Sequence, residues 1–515
     1  MPDIVLATLN AKYIHAAFGL RYLQANLGSL RQNSAIVEFD IHQRPADIVE
    51  SLLSREPKII GLGIYIWNVA QSTEVVALLK RLRPELIIIL GGPEVSYETE
   101  NQPIVQLADH VITGEADLAF AEVCGRLLQG GLAGTLAERL PKIIDAELPT
   151  FDKLTLPYDL YSDEDVAQRV IYVEASRGCP FTCEFCLSSL DIPVRQAPIP
   201  VLLDHFSQLM KRGAKQLKFV DRTFNLNASV SRSILEFLLE RYEPGSFFHF
   251  EMVPDRLPEI LREVLPRFPA GSLQFEIGVQ TFNENSGALI RRRQNVERLE
   301  DTFRFLRKET GVHIHADLIA GLPGETLESF AAGFDRLVAL GPHEIQVGIL
   351  KRLRGTTIGR HDAEWQMIYS PNPPYELLRN KLIDFTGMQA LRRFARFWDL
   401  VSNSGNFVES TPLIWSADGS AFHGFLNFSS WLHRKIGRTD SIALVRLMEL
   451  LFQYLTGEIK LGASLVAATL WRDYQRGGRY DKPLFMREFL ADAPVPVRSG
   501  AKAMRLPRRQ QRRAG

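Results

Sequence analysis

Short apolar runs alternate with amphipathic stretches along the first two thirds of this 515-residue chain. Within residues 1–140, apolar runs of strand length are separated by patterns of helical period; the runs are residues 4–7, 35–39, 58–62, 86–90 and 111–112. Continuous apolar strands separated by helices are typical of a parallel sheet that helices cover on both faces. The pattern therefore predicts an α/β protein whose N-terminal domain, residues 1–140, is flavodoxin-like and doubly wound.

Polar and glycine residues follow these apolar runs. In a doubly wound sheet, ligands bind outside the carboxyl ends of the strands. The candidates at those ends are Asn10, Tyr65, Gly91, Gly92, Gly114 and Glu115. Glycine lets a backbone approach a ligand closely, and it also serves in ordinary turns. The residues alone leave both interpretations open.

Three of the four cysteines lie within eight residues, as Cys179, Cys183 and Cys186. Thiolates at this spacing can hold one soft metal centre. A closed structural site takes four protein ligands, whereas a 4Fe-4S cluster held by three thiolates leaves one iron open to another molecule. A zinc site completed by a distant histidine, or three unligated cysteines, are the alternatives. The fourth cysteine, Cys124, lies far upstream in a helical pattern, which indicates a small buried hydrophobe.

A second alternating region covers residues 171–350. Its strand-like segments are residues 171–175, 215–220, 247–252, 273–279, 312–319 and 344–350. Strands joined by helical crossovers predict an incomplete (β/α)6 barrel, whose site lies at the carboxyl mouth of the sheet.

Polar residues cluster at the ends of these strands, where that rule places chemistry. The candidates are Asp221, Glu276, Gln280, Asp317 and Gly321. Each also has a structural interpretation as a turn glycine, a helix cap or a buried polar group with a partner in the chain. Three arginines, at positions 291–293, follow the fourth strand, where one would either pair with a carboxylate or form a solvated helix end.

The other segments carry less chemistry. Residues 141–170 contain prolines and acidic residues without a clear period and are predicted to be a linker. Residues 351–497 show helical periods, as in a packed helical domain. Basic residues without acids mark residues 498–515, a predicted disordered tail. A phosphate-binding role for this tail would suggest an RNA substrate.

Composition excludes several classes of protein. The 46% hydrophobic content supplies cores for two or three domains. Four cysteines in 515 residues do not make a disulfide scaffold. The N-terminal residues lack the charged and apolar regions of a secretory signal, and no uncharged apolar run approaches about eighteen residues. We therefore predict a cytoplasmic protein without a membrane segment.

The cysteine loop, with its C-x3-C-x2-C spacing and Phe185 just before the last cysteine, resembles the cluster loop of the radical S-adenosylmethionine (SAM) superfamily. The resemblance implies that Cys179, Cys183 and Cys186 ligate a 4Fe-4S cluster. It also implies that SAM chelates the open iron and that Phe185 supports the adenine of SAM.

Three later segments, residues 219–224, 276–281 and 317–326, resemble strand-end motifs of the same superfamily. Their order after the cysteine loop is the order expected for that superfamily. The resemblance implies SAM contacts from Asp221, Glu276, Gln280, Asp317 and Gly321.

The α/β domain ahead of this core resembles the cobalamin-binding domain of the B12-dependent radical SAM enzymes, with the Gly-Gly-Pro-Glu run at 91–94 and the Gly-Glu pair at 114–115 as its loop motifs. The cobalamin contacts that this implies are Asn10, Tyr65, Gly91, Gly92, Gly114 and Glu115. The Asp-x-His-x-x-Gly motif, whose histidine ligates cobalt in cobalamin-binding mutases, does not follow the first strand. His15 lies in that loop, but Tyr13 and Phe18 replace the Asp and the Gly. We interpret His15 as a hydrogen-bonding loop residue.

The resemblance implies a radical SAM enzyme that uses a 4Fe-4S cluster, SAM and cobalamin to methylate an unactivated carbon. The alternatives are radical SAM chemistry without cobalamin (cyclisation, rearrangement or methylthiolation) and a non-catalytic iron-sulfur or zinc protein. The expected partner is an electron donor such as flavodoxin or ferredoxin. The substrate, a small molecule or RNA, and the catalytic residues are not identified. The C-terminal extension, with a Pro-Pro-Tyr stretch at 373–375, resembles the uncharacterised C-terminal domain of one subgroup of these proteins.

Overall fold

A computed structural model describes residues 1–129, 140–417, 419–490, 509, 510 and 512. The chain divides into two compact units. The first contains Met1–Arg222, Lys351–Gly359 and Ser370–Glu376, and the second contains Thr223–Leu350, Arg360–Tyr369 and Leu377–Gly515. The division at Arg222 falls inside the predicted core of residues 171–350, and two short segments beyond that core belong to the first unit.

Strands and helices alternate through both units. The strands are β1 (Ile4–Asn10), β2 (Ser34–Asp40), β3 (Ile59–Gly63), β4 (Ile87–Gly91), β5 (His110–Thr113), β6 (Ile143–Asp145), β7 (Ile171–Val173), β8 (Ser176–Arg177), β9 (Arg195–Gln196), β10 (Gln216–Phe219), β11 (Phe247–Met252), β12 (Leu273–Gln280), β13 (His313–Ala320), β14 (Glu344–Ile349), β15 (Ile368–Tyr369) and β16 (Leu377–Arg379). The helices are α1 (Phe18–Ala25), α2 (Pro45–Leu53), α3 (Val69–Leu82), α4 (Pro103–Leu107), α5 (Ala119–Gln129), α6 (Asp163–Gln168), α7 (Ile199–Lys211), α8 (Ala228–Glu240), α9 (Glu259–Arg262), α10 (Glu284–Leu289), α11 (Val296–Glu309), α12 (Leu327–Leu340), α13 (Phe385–Trp398), α14 (Ala421–Ile436), α15 (Leu444–Gly457) and α16 (Ala463–Arg476). Among the described residues, no helix combines the length and the apolar content that crossing a membrane requires.

The N-terminal sheet is parallel throughout, in the order β2-β1-β3-β4-β5-β6. Successive side chains of a strand point to opposite faces of a sheet. One apolar cluster accordingly includes Val5 and Ile60, and a second includes Leu6 and Ile59. Burial on both faces explains the continuous apolar runs and confirms the predicted doubly wound α/β fold.

The segment 141–170, predicted to be a linker, is instead structured. It supplies β6, a sixth strand where five were predicted, and the short helix α6. Asp165 of α6 is buried and forms ion pairs with Arg21 at 2.8 Å and with Arg169 at 3.0 Å. A strand of three residues and a buried charge cluster leave no apolar period in the sequence, which is why the pattern did not reveal them.

The second set of parallel strands is distributed over both units. In the first unit β7 pairs with β10, and in the second unit β11, β12, β13 and β14 are neighbours in that order. Helices α7, α8, α9, α11 and α12 lie between successive strands of this set along the chain. These six strands with helical crossovers agree with the predicted partial barrel.

The C-terminal region of the second unit is helical, as predicted. Within it, α15 and α16 follow one another, and glycines stand at the break between them, at Gly457 and Gly462. Four aromatic rings of this region pack with Phe334 of α12, with contacting centroids 4.8–5.9 Å apart: Phe394, Trp398, Phe422 and Phe425.

Three residues of the predicted disordered tail are described, and the remainder of 498–515 lies outside the described residues. Arg509 forms ion pairs with Glu344 at 2.8 Å and with Asp399 at 2.9 Å, and Arg512 donates to the carbonyl of Ser404 at 2.9 Å. These contacts correct the prediction at Arg509 and Arg512. Composition missed them because their partners are carboxylates and carbonyls far away in the sequence.

Candidate cofactor-binding sites

The three neighbouring cysteines lie on one excursion of the chain. β8 and β9 pair antiparallel and enclose residues 178–194 between them. Within this loop the amide of Cys179 donates to the carbonyl of Asp191 at 3.0 Å. Gly178 has a φ of +90°, and a Cβ there would lie 2.8 Å from the Asp191 carbonyl oxygen, so the turn into the cysteines requires glycine.

The three thiols influence one another. Burial raises the pKa of Cys179, and the neighbouring Cys186 and Cys183 raise it further, while Arg222 lowers it. Phe185, between the last two cysteines, is half-buried. In the part of the chain that the structure describes, no three His, Cys, Asp or Glu side chains converge on the position of one metal ion.

A cavity of about 270 Å³ lies at the carboxyl ends of β3, β4 and β5. Its lining combines glycines, aromatic rings and a charged end: Phe18, Tyr22, Gly61, Gly63, Tyr65, Gly91, Gly92, Gly114, Glu115, Asp117, Phe120, Glu174 and Arg177. This is the edge of a doubly wound sheet at which ligands bind.

Two of the lining glycines cannot carry a side chain. A Cβ on Gly61 would lie 2.8 Å from the Phe120 ring. Gly92 has a φ of +106°, and a Cβ there would lie 2.5 Å from the Ile64 carbonyl oxygen. Both added side chains would meet atoms of the chain itself, so packing within the first unit explains these two glycines, and their contact with a ligand remains a prediction.

Five of the six residues predicted to contact cobalamin line this cavity: Tyr65, Gly91, Gly92, Gly114 and Glu115. The sixth, Asn10, does not; its side chain donates to Glu38 Oε1 at 3.1 Å. His15 is likewise not among the lining residues, and its Nδ1 lies 2.7 Å from the hydroxyl of Tyr172. Burial lowers the pKa of His15.

Arg177 connects the cysteine loop to the cavity, a role that the sequence did not reveal. Its guanidinium forms ion pairs with Glu115 at 2.8 Å, Asp117 at 2.9 Å and Glu174 at 2.9 Å. It also lies 4.4 Å from the centre of the Tyr22 ring. The same arginine stands two residues before Cys179, so the first ligand candidate and the charged end of the cavity share one side chain. In the sequence, the available signal for this role of Arg177 was its position two residues before Cys179.

The charged end of the cavity holds more acids than bases. Arg195 adds a second cation, which pairs with Asp191 at 2.7 Å and donates to Glu115 Oε2 at 2.8 Å. Burial raises the pKa of Glu174 to about 7, against the opposing charge of Arg177. Two arginines therefore bind the carboxylates of both loops in one network within the first unit.

Asp221 supports the start of the cysteine loop. Its Oδ2 accepts from the Ala175 amide at 2.9 Å, and its Oδ1 accepts from the Ser176 hydroxyl at 2.6 Å. Burial raises the pKa of Asp221 to about 6. The structure thus gives this residue a structural role at the strand end, and the SAM contact remains a prediction.

In the second unit, Glu276 and Asp317 lie on adjacent strands, in one group with two histidines that sequence reasoning missed. Glu276 Oε2 lies 2.9 Å from His249 Nε2, and Asp317 Oδ1 lies 3.3 Å from His315 Nε2. Burial raises the pKa of Asp317; His315 lowers it, Glu276 raises it and Arg292 lowers it. Alternation in the stretch 313–317, His-Ile-His-Ala-Asp, was the available signal for a polar strand face.

The remaining SAM candidates shape the backbone near this group. Gln280 has a φ of +70° at the end of β12. Gly321 has a φ of +92°, and its carbonyl accepts from Asn380 Nδ2 at 3.2 Å. Of the three arginines after the fourth barrel strand, Arg292 turns back and donates from Nε to the Val279 carbonyl at 3.3 Å.

Three family models match successive parts of the chain. The B12-binding domain matches residues 4–124, the radical SAM superfamily matches residues 173–337, and a domain described as a protein of unknown function, DUF4080, matches residues 363–493. The first two matches cover the glycine-lined cavity and the cysteine loop described above.

Two curated relatives match about half of this chain. An uncharacterised methyltransferase of Pyrococcus horikoshii is 25% identical over 56% of this chain and 65% of its own length. The cobalamin-dependent radical SAM methyltransferase TokK of Streptomyces tokunonensis is 24% identical over 57% of this chain and 47% of its own length. The chain therefore spans roughly half to two thirds of these relatives.

The structure of the cobalamin-dependent SAM radical enzyme OxsB with aqua-cobalamin bound matches 99% of this chain and 84% of its own, with a TM-score of 0.59 and 15% identity, and so shows the same fold. The chain thus combines a B12-binding domain, a radical SAM domain and a C-terminal DUF4080 domain, and it is homologous to cobalamin-dependent radical SAM methyltransferases.

Proposed function

We propose that this protein is a cobalamin-dependent radical SAM methyltransferase that acts on an unactivated carbon. The observation that carries the proposal is the joint contact of Arg177, which binds the cavity residue Glu115 and stands two residues before Cys179. The two cofactor-binding regions are thereby parts of one compact unit.

The cysteine loop fits a 4Fe-4S cluster. Cys179, Cys183 and Cys186 supply three soft thiolate donors, the ligand type that such clusters take. The three thiols are neighbours, and Cys186 and Cys183 both raise the pKa of Cys179. These residues would hold the cluster, which would supply the electron for SAM cleavage.

The glycine-lined cavity fits part of a cobalamin. A volume of about 270 Å³, bounded by backbone and aromatic rings, has room for one aromatic ring system of that cofactor. Gly91, Gly92 and Gly114 allow close approach of backbone, and Tyr65 offers an aromatic face. Among the described residues that line the cavity none is a histidine, so we propose that this chain holds cobalamin without the histidine ligand of the mutases.

When bound, the reduced cluster and SAM supply the radical, and cobalamin supplies the methyl carrier. The chain's own residues do the remaining work. Arg177 neutralises the acids between the cysteine loop and the cavity, and Asp221 fixes the strand end that leads into the loop. In the second unit, His315 and Asp317 offer a half-buried proton-exchanging pair within β13.

The test uses the full-length protein, prepared without oxygen and reconstituted with iron, sulfide and hydroxocobalamin. We expect iron and cobalt to bind together, and a reductant with methyl-labelled SAM to give 5'-deoxyadenosine and a labelled product in a metabolite extract. Cys183→Ala should abolish both products. A protein that fills with iron and cleaves SAM but takes up no cobalt would contradict the cobalamin part of the proposal, and a wild-type protein that never cleaves SAM would contradict all of it.

A further inference from the structure

Glu94, the last residue of the Gly-Gly-Pro-Glu run, is buried against two residues that lie far along the sequence. Glu94 is 4% exposed, and its Oε1 accepts from Arg354 Nε at 2.9 Å and from the Tyr375 hydroxyl at 2.6 Å. Arg354 Nη2 also donates to the Tyr375 hydroxyl at 3.0 Å. We call these three residues, Glu94, Arg354 and Tyr375, the Glu94 clamp.

The backbone around the clamp is fitted to the first domain. Gly355 has a φ of +79°, and a Cβ there would lie 2.4 Å from the ring of Tyr97. The amide of Arg352 donates to the Tyr375 carbonyl at 3.1 Å, which joins the two late segments to each other. Tyr375 itself has a φ of +55°, a conformation that costs free energy in a residue with a side chain. Segments 351–359 and 370–376 therefore belong to the first unit.

The clamp fixes a charge that would otherwise be costly. A buried carboxylate needs hydrogen-bond donors, and bonds to a charged acceptor are stronger than neutral ones. Burial and the bond to Glu94 raise the pKa of Tyr375 to about 12, so its hydroxyl stays a donor at neutral pH. Removing one donor leaves a buried carboxylate with an incomplete shell.

The residue held by the clamp stands next to the cavity. Gly91 and Gly92 line the cavity, and Glu94 follows them after one proline. The amide of Ile64 donates to the Gly91 carbonyl at 2.8 Å, and the amide of Glu94 donates to the Ile64 carbonyl at 3.4 Å. The position of the Glu94 carboxylate thus constrains the turn that carries both lining glycines.

We propose that Arg354 and Tyr375 are positioning residues for cobalamin, which hold Glu94 so that the Gly91–Gly92 turn keeps the shape the cofactor requires. Tyr375 lies in the region matched by the DUF4080 family and Arg354 lies just before it. One role of that uncharacterised region is therefore to complete a loop of the B12-binding domain. This inference rests on the proposed use of cobalamin.

The test compares two tyrosine variants of the reconstituted full-length protein. Tyr375→Phe removes the donor to Glu94, and Tyr474→Phe is the matched control, because Tyr474 donates to Asp481 at 3.1 Å in the second unit. Hydroxocobalamin is titrated without oxygen and followed by its absorption spectrum, and iron content and thermal unfolding of the cobalamin-free proteins are measured in parallel. We expect Tyr375→Phe to bind hydroxocobalamin about tenfold or more weakly, with unchanged iron content, and Tyr474→Phe to bind like wild type.

Conservative variants separate positioning from general packing. Glu94→Gln keeps an acceptor for Arg354 and Tyr375 and should bind hydroxocobalamin more tightly than Glu94→Ala. Wild-type affinity in Tyr375→Phe would overturn this inference alone, as would an equal loss in the Tyr474→Phe control. A wild-type protein that takes up no cobalamin would overturn both this inference and the proposed function.

Discussion

Arg177 Nη1 and Glu115 Oε2 lie 2.8 Å apart, an ion pair between the strand that opens the cysteine loop and the loop that follows β5. The arginine side chain is 12% exposed and the glutamate side chain 19%. Asp117 and Glu174 bind the same guanidinium, so one cation contacts three acids, of which Glu115 also binds Arg195. Loss of this cation would leave an uncompensated buried charge, whose cost is far larger than that of a surface pair.

Arg177→Met should lower the free energy of unfolding by about 3–5 kcal/mol, because it leaves the partner carboxylates buried without their cation. Urea unfolding of the cofactor-free protein measures this. Arg31→Met is the control, since Arg31 and Asp159 form a pair at 2.6 Å with side chains 36% and 54% exposed. That change should cost about 1 kcal/mol or less. Equal losses in the two variants would contradict the buried network.

Each of Cys179→Ala, Cys183→Ala and Cys186→Ala should reduce bound iron from roughly four atoms per chain to near zero, since we propose that these three thiolates form the whole protein ligand set. Cys124→Ala is the matched control. Burial raises the pKa of Cys124 to about 12, so its thiol stays protonated, and it packs among apolar residues. Iron analysis after anaerobic reconstitution decides the matter. Loss of iron in Cys124→Ala, or its retention in Cys183→Ala, would refute the ligand assignment.

Alanine substitutions at Gly92 and Gly125 should change stability in opposite directions. Gly92→Ala places a Cβ 2.5 Å from the Ile64 carbonyl at a φ of +106°, so it should lower stability by more than about 1 kcal/mol and weaken cobalamin binding. Gly125→Ala lies in α5 with no atom within 4 Å of the added Cβ and should stabilise the helix by up to about 1 kcal/mol. Thermal unfolding and hydroxocobalamin titration check both. Normal binding by Gly92→Ala would separate this turn from the cofactor.

The continuous apolar runs allowed the fold to be predicted from the sequence. Residues 247–252 were predicted as a strand with the bounds that β11 has. The predicted linker failed for the opposite reason, because β6 has three residues and pairs through its backbone, and because Asp165 is buried as a charge. A pattern of apolar residues reports burial of side chains on a regular period, and neither feature has one.

The cysteine candidates were readable because their spacing is local. The clamp was not, since Tyr375 and Glu94 are 281 residues apart and contact through polar atoms. Arg177 and Asp117 are likewise 60 residues apart. Side-chain contacts of this kind depend on how the strands are arranged in space, which the local pattern of residues in a sequence does not reveal. His315 could have been predicted as a member of this group, because His313, His315 and Asp317 occupy every second position of one strand and so lie on one face.

The ionisation of Glu325 should make the free energy of unfolding fall as the pH rises. This residue is buried, its Oε1 accepts from the Thr281 hydroxyl at 2.5 Å, and burial raises its pKa from 4.5 to about 7. Between these values the folded state keeps a proton that the unfolded state has lost, so stability falls as pH rises from about 4.5 to about 7. Glu325→Gln should remove this fall, on the order of 3 kcal/mol at neutral pH. Urea unfolding across that range tests it; an unchanged slope would contradict the raised pKa.

The ionisation of Glu344 should make the free energy of unfolding rise as the pH rises. Burial would raise its pKa, but the hydrogen bond from His313, the charges of His313 and His315 and the bond from Arg509 lower it to about 2. Its contribution to stability is therefore present above about pH 4.5 and is lost as the pH falls towards 2. Glu344→Gln should remove this acid-range loss and should be less stable than wild type at pH 7. A variant as stable as wild type at neutral pH would show that the carboxylate is not held by its partners.

Arg509 separates a structural role of the basic tail from binding to RNA. Arg509→Met removes ion pairs to Glu344 and Asp399, and because the arginine side chain is 40% exposed we expect a loss of only about 1 kcal/mol in the free energy of unfolding. Arg446→Met, which removes an exposed pair with Glu449, is the control and should cost less. RNA affinity at low salt is measured on the same proteins. If Arg509→Met weakened RNA binding severalfold and left stability unchanged, the tail would act on phosphates and not on Glu344; a stability loss without any change in RNA affinity would assign Arg509 to the fold.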